Sequence, residues 1–245
     1  MTMALIEPDW PVADPVRAMA TTRAGGVSQG PWTSFNLGEF CGDEPATVAE
    51  NRRRLARLLP ASPCWLSQVH GTRLIHLDDW KPGIKADAAW TDRPGQVAVI
   101  QSADCLPILM AHARGDLVVA VHAGWRGLAE DIISQTVAAL PGRASDLLAW
   151  IGPAISAPHY EVGVEVRDQF VGVWPTLATA FAANPDGNFQ ADLKAIARWQ
   201  LADAGVGLVR DSGLCTAADP ARFYSYRRDH GQTGRQASLI WLESS

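Results

Sequence analysis

The hydrophobic residues of the chain fall into short apolar runs that alternate with segments of helical spacing. Strands are predicted where these runs are bounded by glycine or polar residues: Val16–Thr22, Cys64–Val69, Arg73–Leu77, Gln96–Ser102, Leu106–Ala111, Leu117–Val121, Leu147–Ile151 and Gln236–Leu242. Helices are predicted where apolar residues recur at steps of three and four: Ala46–Leu59, Leu128–Leu140, Val164–Val173 and Ala191–Ala204. Interleaved strands and helices favour an α/β protein with a large mixed sheet.

Length and composition narrow the class of protein. The 245 residues are 47% hydrophobic and 19% charged with a net charge of −5, which excludes a disordered chain. No repeat or long linker divides the sequence, so we expect one domain over residues 1–245. The acidic balance lacks the basic face that nucleic acids require, and no apolar run reaches the roughly 20 residues of a membrane span. The N-terminus carries acids and prolines where a signal peptide needs an apolar core, so a cytoplasmic protein is expected.

Cysteine and histidine positions suggest where chemistry is located. The chain has four scattered cysteines with no CxxC pair, and six histidines. Three of these ten residues, His70, Cys105 and His122, each follow a predicted strand. In open α/β sheets ligands bind at the carboxyl ends of strands. If those ends converge, the three side chains form one cluster.

Such a cluster has several interpretations. Two imidazoles and one thiolate suit zinc and leave a fourth position for water or substrate, and they also suit copper. The same residues could instead form a thiol catalyst, in which His70 or His122 activates the Cys105 thiolate and Asp104 orients the pair. Alternatively, the three residues have only a structural role, with the cysteine as a small buried side chain and the histidines as hydrogen-bonded loop residues. Asp87 is an acid/base candidate or a strand-end cap.

The arginines form a second group of candidate site residues. Only three of the 21 basic residues are lysines. Arg126 starts the helical segment after His122, where free backbone N–H groups favour an anion. Arg227 and Arg235 lie with two small hydroxyls near the C-terminus, and guanidinium groups bind phosphate through paired hydrogen bonds. The alternative for this segment is a surface loop with ion pairs. Arg23, followed by two glycines, fits an anion site or a turn.

Ordered motifs along the chain resemble those of a known family. They are TTRAGGVSQGPWTSFNLG (Thr21–Gly38), SQVHGT (Ser67–Thr72), KADA (Lys85–Ala88), SADCLPILM (Ser102–Met110), VHAGWRG (Val121–Gly127), IGPAIS (Ile151–Ser156), YEVGVEV (Tyr160–Val166) and SYRRD…TGR (Ser225–Arg235). Together they are similar to the YfiH-like family, also called the laccase-domain or polyphenol-oxidase family. The resemblance implies a single α/β domain of mixed β-sheets flanked by helices, layered α-β-β-α. The spacer between RRD and TGR departs from the family pattern and leaves the role of His230 open.

The resemblance also implies an enzyme of purine nucleosides. Family members phosphorolyse adenosine, inosine, guanosine and methylthioadenosine to the base and a ribose 1-phosphate, and they deaminate adenosine. The family's zinc ligands fall on His70, Cys105 and His122, which we expect to be catalytic together with Asp87. The residues expected to bind substrate are Arg23, Asn36, Arg126, Arg227 and Arg235. The expected partners are therefore a nucleoside and phosphate, with no nucleic acid or membrane, for a monomer or small homo-oligomer.

Two other activities compete with this interpretation. The family's older name asserts a copper-dependent polyphenol oxidase, but six histidines without HxH or HCH patterns argue against a multicopper laccase. A metal-free hydrolase or deamidase would use Cys105 with a histidine. A non-enzymatic binding role is a further alternative, because ten tryptophans in one domain leave room for an exposed apolar surface.

Overall fold

The structure, a computed structural model, describes residues 3–244. Its strands are β1 Leu5–Ile6, β2 Val16–Thr21, β3 Leu74–His76, β4 Ala88–Thr91, β5 Val97–Ser102, β6 Leu106–His112, β7 Val118–Ala123, β8 Leu147–Ile151, β9 Glu161–Val162, β10 Phe181–Ala183, β11 Phe189–Ala191, β12 Leu208–Asp211 and β13 Gln236–Leu242. Its α-helices are α1 Pro45–Ala56, α2 Trp125–Ala129, α3 Ile132–Ala139, α4 Val164–Val171 and α5 Leu193–Asp203.

The strands form three sheets. The largest has six strands in the order β12-β8-β6-β7-β4-β3, and it is mixed because β12 runs parallel to β8 and β3 parallel to β4. A four-stranded antiparallel sheet has the order β1-β2-β13-β5, and a small antiparallel sheet has the order β10-β11-β9. The mixed six-stranded sheet and the flanking helices confirm the expected α/β class.

Both larger sheets are buried on two faces, which explains why their strands read as continuous apolar runs. Along β6, Leu106, Ile108 and Met110 pack in the cluster formed with helices α3, α4 and α5. Leu109 and Ala111 of the same strand face the four-stranded sheet, because successive side chains of a strand point to opposite faces. The outer face of the four-stranded sheet packs on Phe35, Leu37 and Leu55, the last of these from α1. The resulting order of layers is α-β-β-α, as the resemblance implied.

Two of the predicted elements are wrong. The backbone of the segment Cys64–Val69 forms only isolated β-bridges, at Cys64 and Ser67, so it is not a strand. There the Gln68 side chain bonds the N–H and C=O of Gln101, which replaces a backbone ladder. The predicted helix Leu128–Leu140 is divided into α2 and α3, because Asp131 adopts a left-handed conformation with φ of 60°.

Several short strands had no counterpart among the predicted elements. β4 contains two alanines and is only four residues long, so its sequence carries little strand preference. It forms because it pairs with β7 on one side and β3 on the other. Within residues 3–244, none of the helices combines the length and the apolar character that a bilayer crossing requires.

Candidate active site

Strand register brings the predicted ligands together. The antiparallel pairing of β6 with β7 sets Leu106 opposite Ala123 and Pro107 opposite His122, so Cys105 lies at the end of β7. The pairing of β4 with β7 sets Ala88 opposite Val121, which places the preceding Asp87 beside His122. His122 therefore has the cysteine on one side and the carboxylate on the other.

Asp87 connects the two histidines. Its carboxylate is fully buried, and Oδ1 accepts from His122 Nδ1 at 2.8 Å and from the backbone N–H of His70 at 2.9 Å. The other oxygen accepts from the N–H groups of Val69 and Gly71 at 3.1 and 2.9 Å. These bonds hold His70 in a left-handed conformation with φ of 61°, which is uncommon for a residue other than glycine.

The imidazole and thiol groups form a compact cluster. The His70 Nε2 atom lies 3.9 Å from Cys105 Sγ, and the rings of His70 and His122 meet edge to face with centroids 4.8 Å apart. Asp87 accepts the Nδ1 proton of His122, so Nε2 is the ring nitrogen of His122 left for a ligand.

The electrostatics favour a thiolate opposite an imidazolium. Burial alone would raise the pKa of Cys105, but hydrogen bonds and charge from His122, then from His70, lower that pKa to about 6. Burial alone would lower the pKa of His122, but the bonds to Asp87 and Cys105 raise it to about 9. Burial would also raise the pKa of Asp87, yet His122 and then the backbone N–H groups hold it below its ordinary value.

The donor set fits a single zinc or copper ion. Within residues 3–244, His70, Cys105 and His122 form the one group of this kind, and their ligand atoms all lie within 4.8 Å of one another. Tetrahedral zinc with bonds of about 2.0 to 2.3 Å separates its donors by about 3.5 Å, so closing the cluster takes shifts of about 1 Å. The carboxylate behind His122 is the usual outer-shell partner of a metal-bound imidazole.

Gly124 leaves room for this cluster. A Cβ atom at that position would lie 2.9 Å from His70 Cδ2 and 3.2 Å from Cys105 Sγ. Both distances are shorter than ordinary van der Waals contact between such atoms. The glycine in the HAGWRG segment is therefore explained by the close approach of two ligands.

The cluster opens into a cavity of about 860 Å³. This volume falls within the ~300–1,000 Å³ typical of small-molecule sites. The cavity has several aromatic walls, contributed by Phe40, Trp65, Trp80, Trp125 and Tyr160. It is therefore wide enough for a flat heterocyclic ligand to lie against an aromatic face.

Arginine side chains give the cavity its charge. Arg126, Arg227 and Arg235 line it, and within residues 3–244 none of the three has a carboxylate partner. By contrast, Arg52 in the same cavity pairs with Glu39. Three guanidinium charges that no carboxylate neutralises favour an anionic ligand. The helix α2, which contains Arg126, has only five residues, so the arginine side chain, rather than a helix dipole, supplies the charge there.

Two other predicted binding residues lie outside the cavity lining. The Arg23 guanidinium donates to the carbonyls of Thr33 and Pro220 and lies 4.7 Å above the Tyr224 ring. Asn36 is fully buried, and its Oδ1 accepts from the backbone N–H of Arg235 at 2.8 Å. Asn36 thus supports the backbone of a cavity arginine, and direct contact of either residue with a ligand stays a prediction.

Asp104, the residue considered for orienting the Cys105 thiol and its histidine, bonds to other groups, and Asp87 is the carboxylate that bonds His122. Asp104 is buried, and its oxygens accept from the hydroxyls of Thr216 and Ser225 and from the backbone N–H of Arg227. These bonds tie the C-terminal arginine segment to the residue next to Cys105. The carboxylate therefore fixes the loop that carries Arg227.

Comparison with known proteins identifies the family. Residues 17–243 match the model of the family described as multi-copper polyphenol oxidoreductase laccase. The chain is 48% identical over 242 residues to a purine nucleoside phosphorylase of Pseudomonas aeruginosa, covering 98% of this chain and 99% of the relative. It is 44% identical over 241 residues to the purine nucleoside phosphorylase YfiH of Escherichia coli, covering 97% and 98% of the two chains. The chain belongs to the YfiH-like, laccase-domain family.

Solved structures of YfiH-like proteins share the fold. A Neisseria meningitidis protein of the DUF152 family superposes with a TM-score of 0.94 at 42% identity, covering 98% of this chain and 99% of the other. YlmD from Geobacillus stearothermophilus superposes with a TM-score of 0.87 at 34% identity, covering 94% and 93%.

Some site residues had no assigned role in the sequence interpretation. Trp65 and Trp80 line the cavity, and Tyr160 lies in a YfiH-like motif but was given no function. The one feature of the sequence that could have identified Tyr160 is its position in that motif. Nothing in the hydrophobic pattern distinguishes Trp65 or Trp80 from tryptophans of the core.

Proposed function

We propose that the chain is a zinc-dependent purine nucleoside phosphorylase, which releases the free base and ribose 1-phosphate from adenosine, inosine, guanosine or methylthioadenosine. A side activity would deaminate adenosine, with one water consumed, to inosine and ammonia. The observation that carries the proposal is one cavity that joins the His70, Cys105 and His122 cluster to three guanidinium groups without carboxylate partners. The names of the relatives supply the reaction, and the cavity has groups suited to both of its substrates.

Phosphorolysis makes specific demands on such a cavity. An oxygen of hydrogen phosphate bonds to C1′ of the ribose as the C1′–N9 bond breaks, and the phosphate proton ends on the purine. The leaving electron pair needs a proton at the base, and the attacking anion needs positive partners. We assign Arg126, Arg227 and Arg235 to phosphate or ribose contacts. Asn36 would act by holding Arg235, and Arg23 by packing on Tyr224 behind the cavity lining.

The metal cluster has a separate role in the proposal. When bound, zinc supplies a Lewis acid that orients substrate and makes water more acidic. The chain's own residues hold the geometry: Asp87 fixes the ring of His122 and the backbone of His70, and both donors converge on Cys105. Asp87 is a positioning residue in this scheme, because its oxygens already accept four hydrogen bonds.

The direct test is phosphate-dependent release of base. Purified protein of measured zinc content would be incubated with inosine, with and without phosphate, and hypoxanthine followed by chromatography. We expect hypoxanthine and ribose 1-phosphate in equal amounts only when phosphate is present. Cys105→Ser is the matched control, since it removes the thiolate with little change of volume. Absence of hypoxanthine from wild type would overturn the proposal.

A copper-dependent polyphenol oxidase is the second candidate, favoured by the description of the matching family. The three-residue cluster suits one copper ion, and the residues from 3 to 244 offer no second group of metal ligands. Elemental analysis of protein purified without added metal, with oxygen uptake on a phenol, tests this candidate. Stoichiometric copper with oxygen uptake would favour it over nucleoside cleavage.

A metal-free thiol hydrolase or deamidase is the third candidate. The chain from Asp87 through His122 to Cys105 has the arrangement of a carboxylate, an imidazole and a thiolate nucleophile. Complete removal of zinc with a chelator separates the two uses of Cys105. Activity that survives chelation would support the thiol enzyme, whereas activity lost on chelation and restored by zinc would support the metal site.

A further inference from the structure

The Tyr160 hydroxyl is a polar group for which the fold provides no internal partner. Tyr160 is only 9% exposed and lines the cavity, yet its hydroxyl makes no hydrogen bond to the residues between 3 and 244. Buried tyrosine hydroxyls normally find an acceptor, as Tyr224 does with the carbonyl of Trp32 at 2.7 Å. The open hydroxyl of Tyr160 is therefore directed at whatever fills the cavity.

Charged groups of both signs act on this hydroxyl. The Arg227 guanidinium lies 4.7 Å from the centre of the Tyr160 ring, held there by a 2.6 Å bond from its Nη1 to the carbonyl of Glu161. The backbone N–H of Arg227 bonds Asp104 at 2.7 Å, beside Cys105. The charges of Cys105 and Asp104 raise the pKa of this hydroxyl, whereas those of Arg227 and Arg126 lower it. Tyr160, Arg126 and Arg227 thus line the cavity into which the His70, Cys105 and His122 cluster opens.

The hydroxyl acts as a donor at neutral pH. Burial, with a further contribution from the charge on Cys105, raises the pKa of Tyr160 to about 12. It therefore keeps its proton wherever the protein works. A neutral O–H group gives an oxyanion a hydrogen-bond donor without adding a positive charge.

We propose that the Tyr160 hydroxyl, with the guanidinium groups of Arg126 and Arg227, forms the oxyanion subsite of the cavity and binds inorganic phosphate. This inference rests on the proposed function, to which it adds the location of the second substrate. The hydroxyl donates to one phosphate oxygen and the guanidinium groups to others. The predicted binding residues that line the cavity, Arg126, Arg227 and Arg235, are all cationic, so none of them supplies a neutral donor.

The test is the substitution Tyr160→Phe, which keeps the ring beneath Arg227 and removes only the hydroxyl. The full chain, matched for zinc content, would be titrated calorimetrically with inorganic phosphate, with and without hypoxanthine. We expect the Kd of phosphate to rise about 10- to 100-fold, the effect of losing a hydrogen bond to a charged group. The KM for phosphate should rise to match, while the KM for inosine, the zinc content and the Tm stay near wild type.

Tyr226→Phe is the matched control. Tyr226 lines the same cavity, but the residue is 55% exposed and therefore lacks the buried setting of Tyr160. Its phosphate Kd should stay within twofold of wild type.

Three results would overturn the inference: a wild-type phosphate Kd for Tyr160→Phe, an equal loss in Tyr226→Phe, or no phosphate binding by wild type in either titration. A rise in the KM for inosine alone would also overturn it, because the hydroxyl would then face the nucleoside. Failure of the proposed function is distinguishable, since it would leave wild type binding phosphate without cleaving inosine.

Discussion

Replacing Asp87 by asparagine would test whether one buried carboxylate organises the site. Asp87 accepts four hydrogen bonds, two on each oxygen, from three backbone N–H groups and from His122. An asparagine amide has the same shape, but one oxygen becomes an NH₂ donor. In either orientation of the amide, two of the four donors therefore face a donor instead of an acceptor.

The magnitude follows from these two donors that lose their acceptor. A buried donor without a partner costs about 1 to 3 kcal/mol, so with partial relaxation the free energy of unfolding should fall by about 3 kcal/mol. For a chain of this size the Tm should fall by roughly 6–12 °C. Outer-shell partners of metal-bound histidines typically contribute about 10- to 100-fold in metal affinity, so zinc affinity should fall by that factor.

The pH dependence has a defined sign. Because the folded pKa of Asp87 lies below its ordinary value, its stabilisation is complete above about pH 3.9 and is lost as the pH falls through the lower folded pKa. Asparagine does not titrate. The stability difference between wild type and Asp87→Asn should therefore be constant near neutral pH and shrink below about pH 4.

The assay is competition with a chromogenic chelator for zinc, together with thermal unfolding of the chelated protein at several pH values. Asp116→Asn is the control, since Asp116 also lies 2.8 Å from a histidine Nδ1, that of His112, but is outside the cavity lining. Its zinc affinity should stay within twofold of wild type. Wild-type zinc affinity and wild-type Tm in Asp87→Asn would refute the reasoning.

Three further predictions concern the same site. In metal-free protein, the rate of Cys105 alkylation should rise with pH with a midpoint near pH 6, and the imidazolium of His122 should lose its proton near pH 9. Cys105→Ser gives the background rate of alkylation. A midpoint near pH 8.5, the ordinary thiol value, would contradict the pKa argument. Gly124→Ala places a Cβ 3.2 Å from Cys105 Sγ, so zinc affinity by chelator competition should fall at least about ten-fold, and an unchanged affinity would show that the site tolerates the methyl group. Arg126→Gln should raise the KM for phosphate by about ten-fold at constant zinc content, whereas Arg143→Gln on the exposed surface should not; equal effects would remove the specific role.

Much of the layered fold was predictable from local pattern. Strands buried on both faces are continuous apolar runs, so β6, β7 and β13 were identified with errors of only a few residues. Helices α4 and α5 were predicted because their apolar residues recur at helical spacing. The segment Cys64–Val69 was assigned wrongly, since side-chain bonds from Gln68 replace the backbone ladder and the hydrophobic pattern does not register such a substitution.

The sequence also suggested that the three candidate metal ligands lie close together. Each of His70, Cys105 and His122 follows an apolar run, which predicted that the three meet at strand ends. Cys105 does follow β5, whereas His122 lies within β7 and the run before His70 is not a strand. What the pattern could not supply was register, because a pairing shifted by one residue would turn every side chain to the other face. The pairing of β7 with both β4 and β6 decides that Asp87 and Cys105 meet at His122.

The sequence by itself determined the α/β class, the residue types of the metal cluster and the excess of arginine over lysine. Tertiary structure alone decided which arginines carry unneutralised charge into the cavity. Arg23 and Arg126 are the same residue in similar glycine-rich settings, yet one is bonded to two carbonyls and the other lines the cavity. The physical reason is that the charge and the hydrogen-bond donors of an arginine are known from its residue type. The acceptors that bind those donors come from residues distant in the chain, so the fold decides whether they are present.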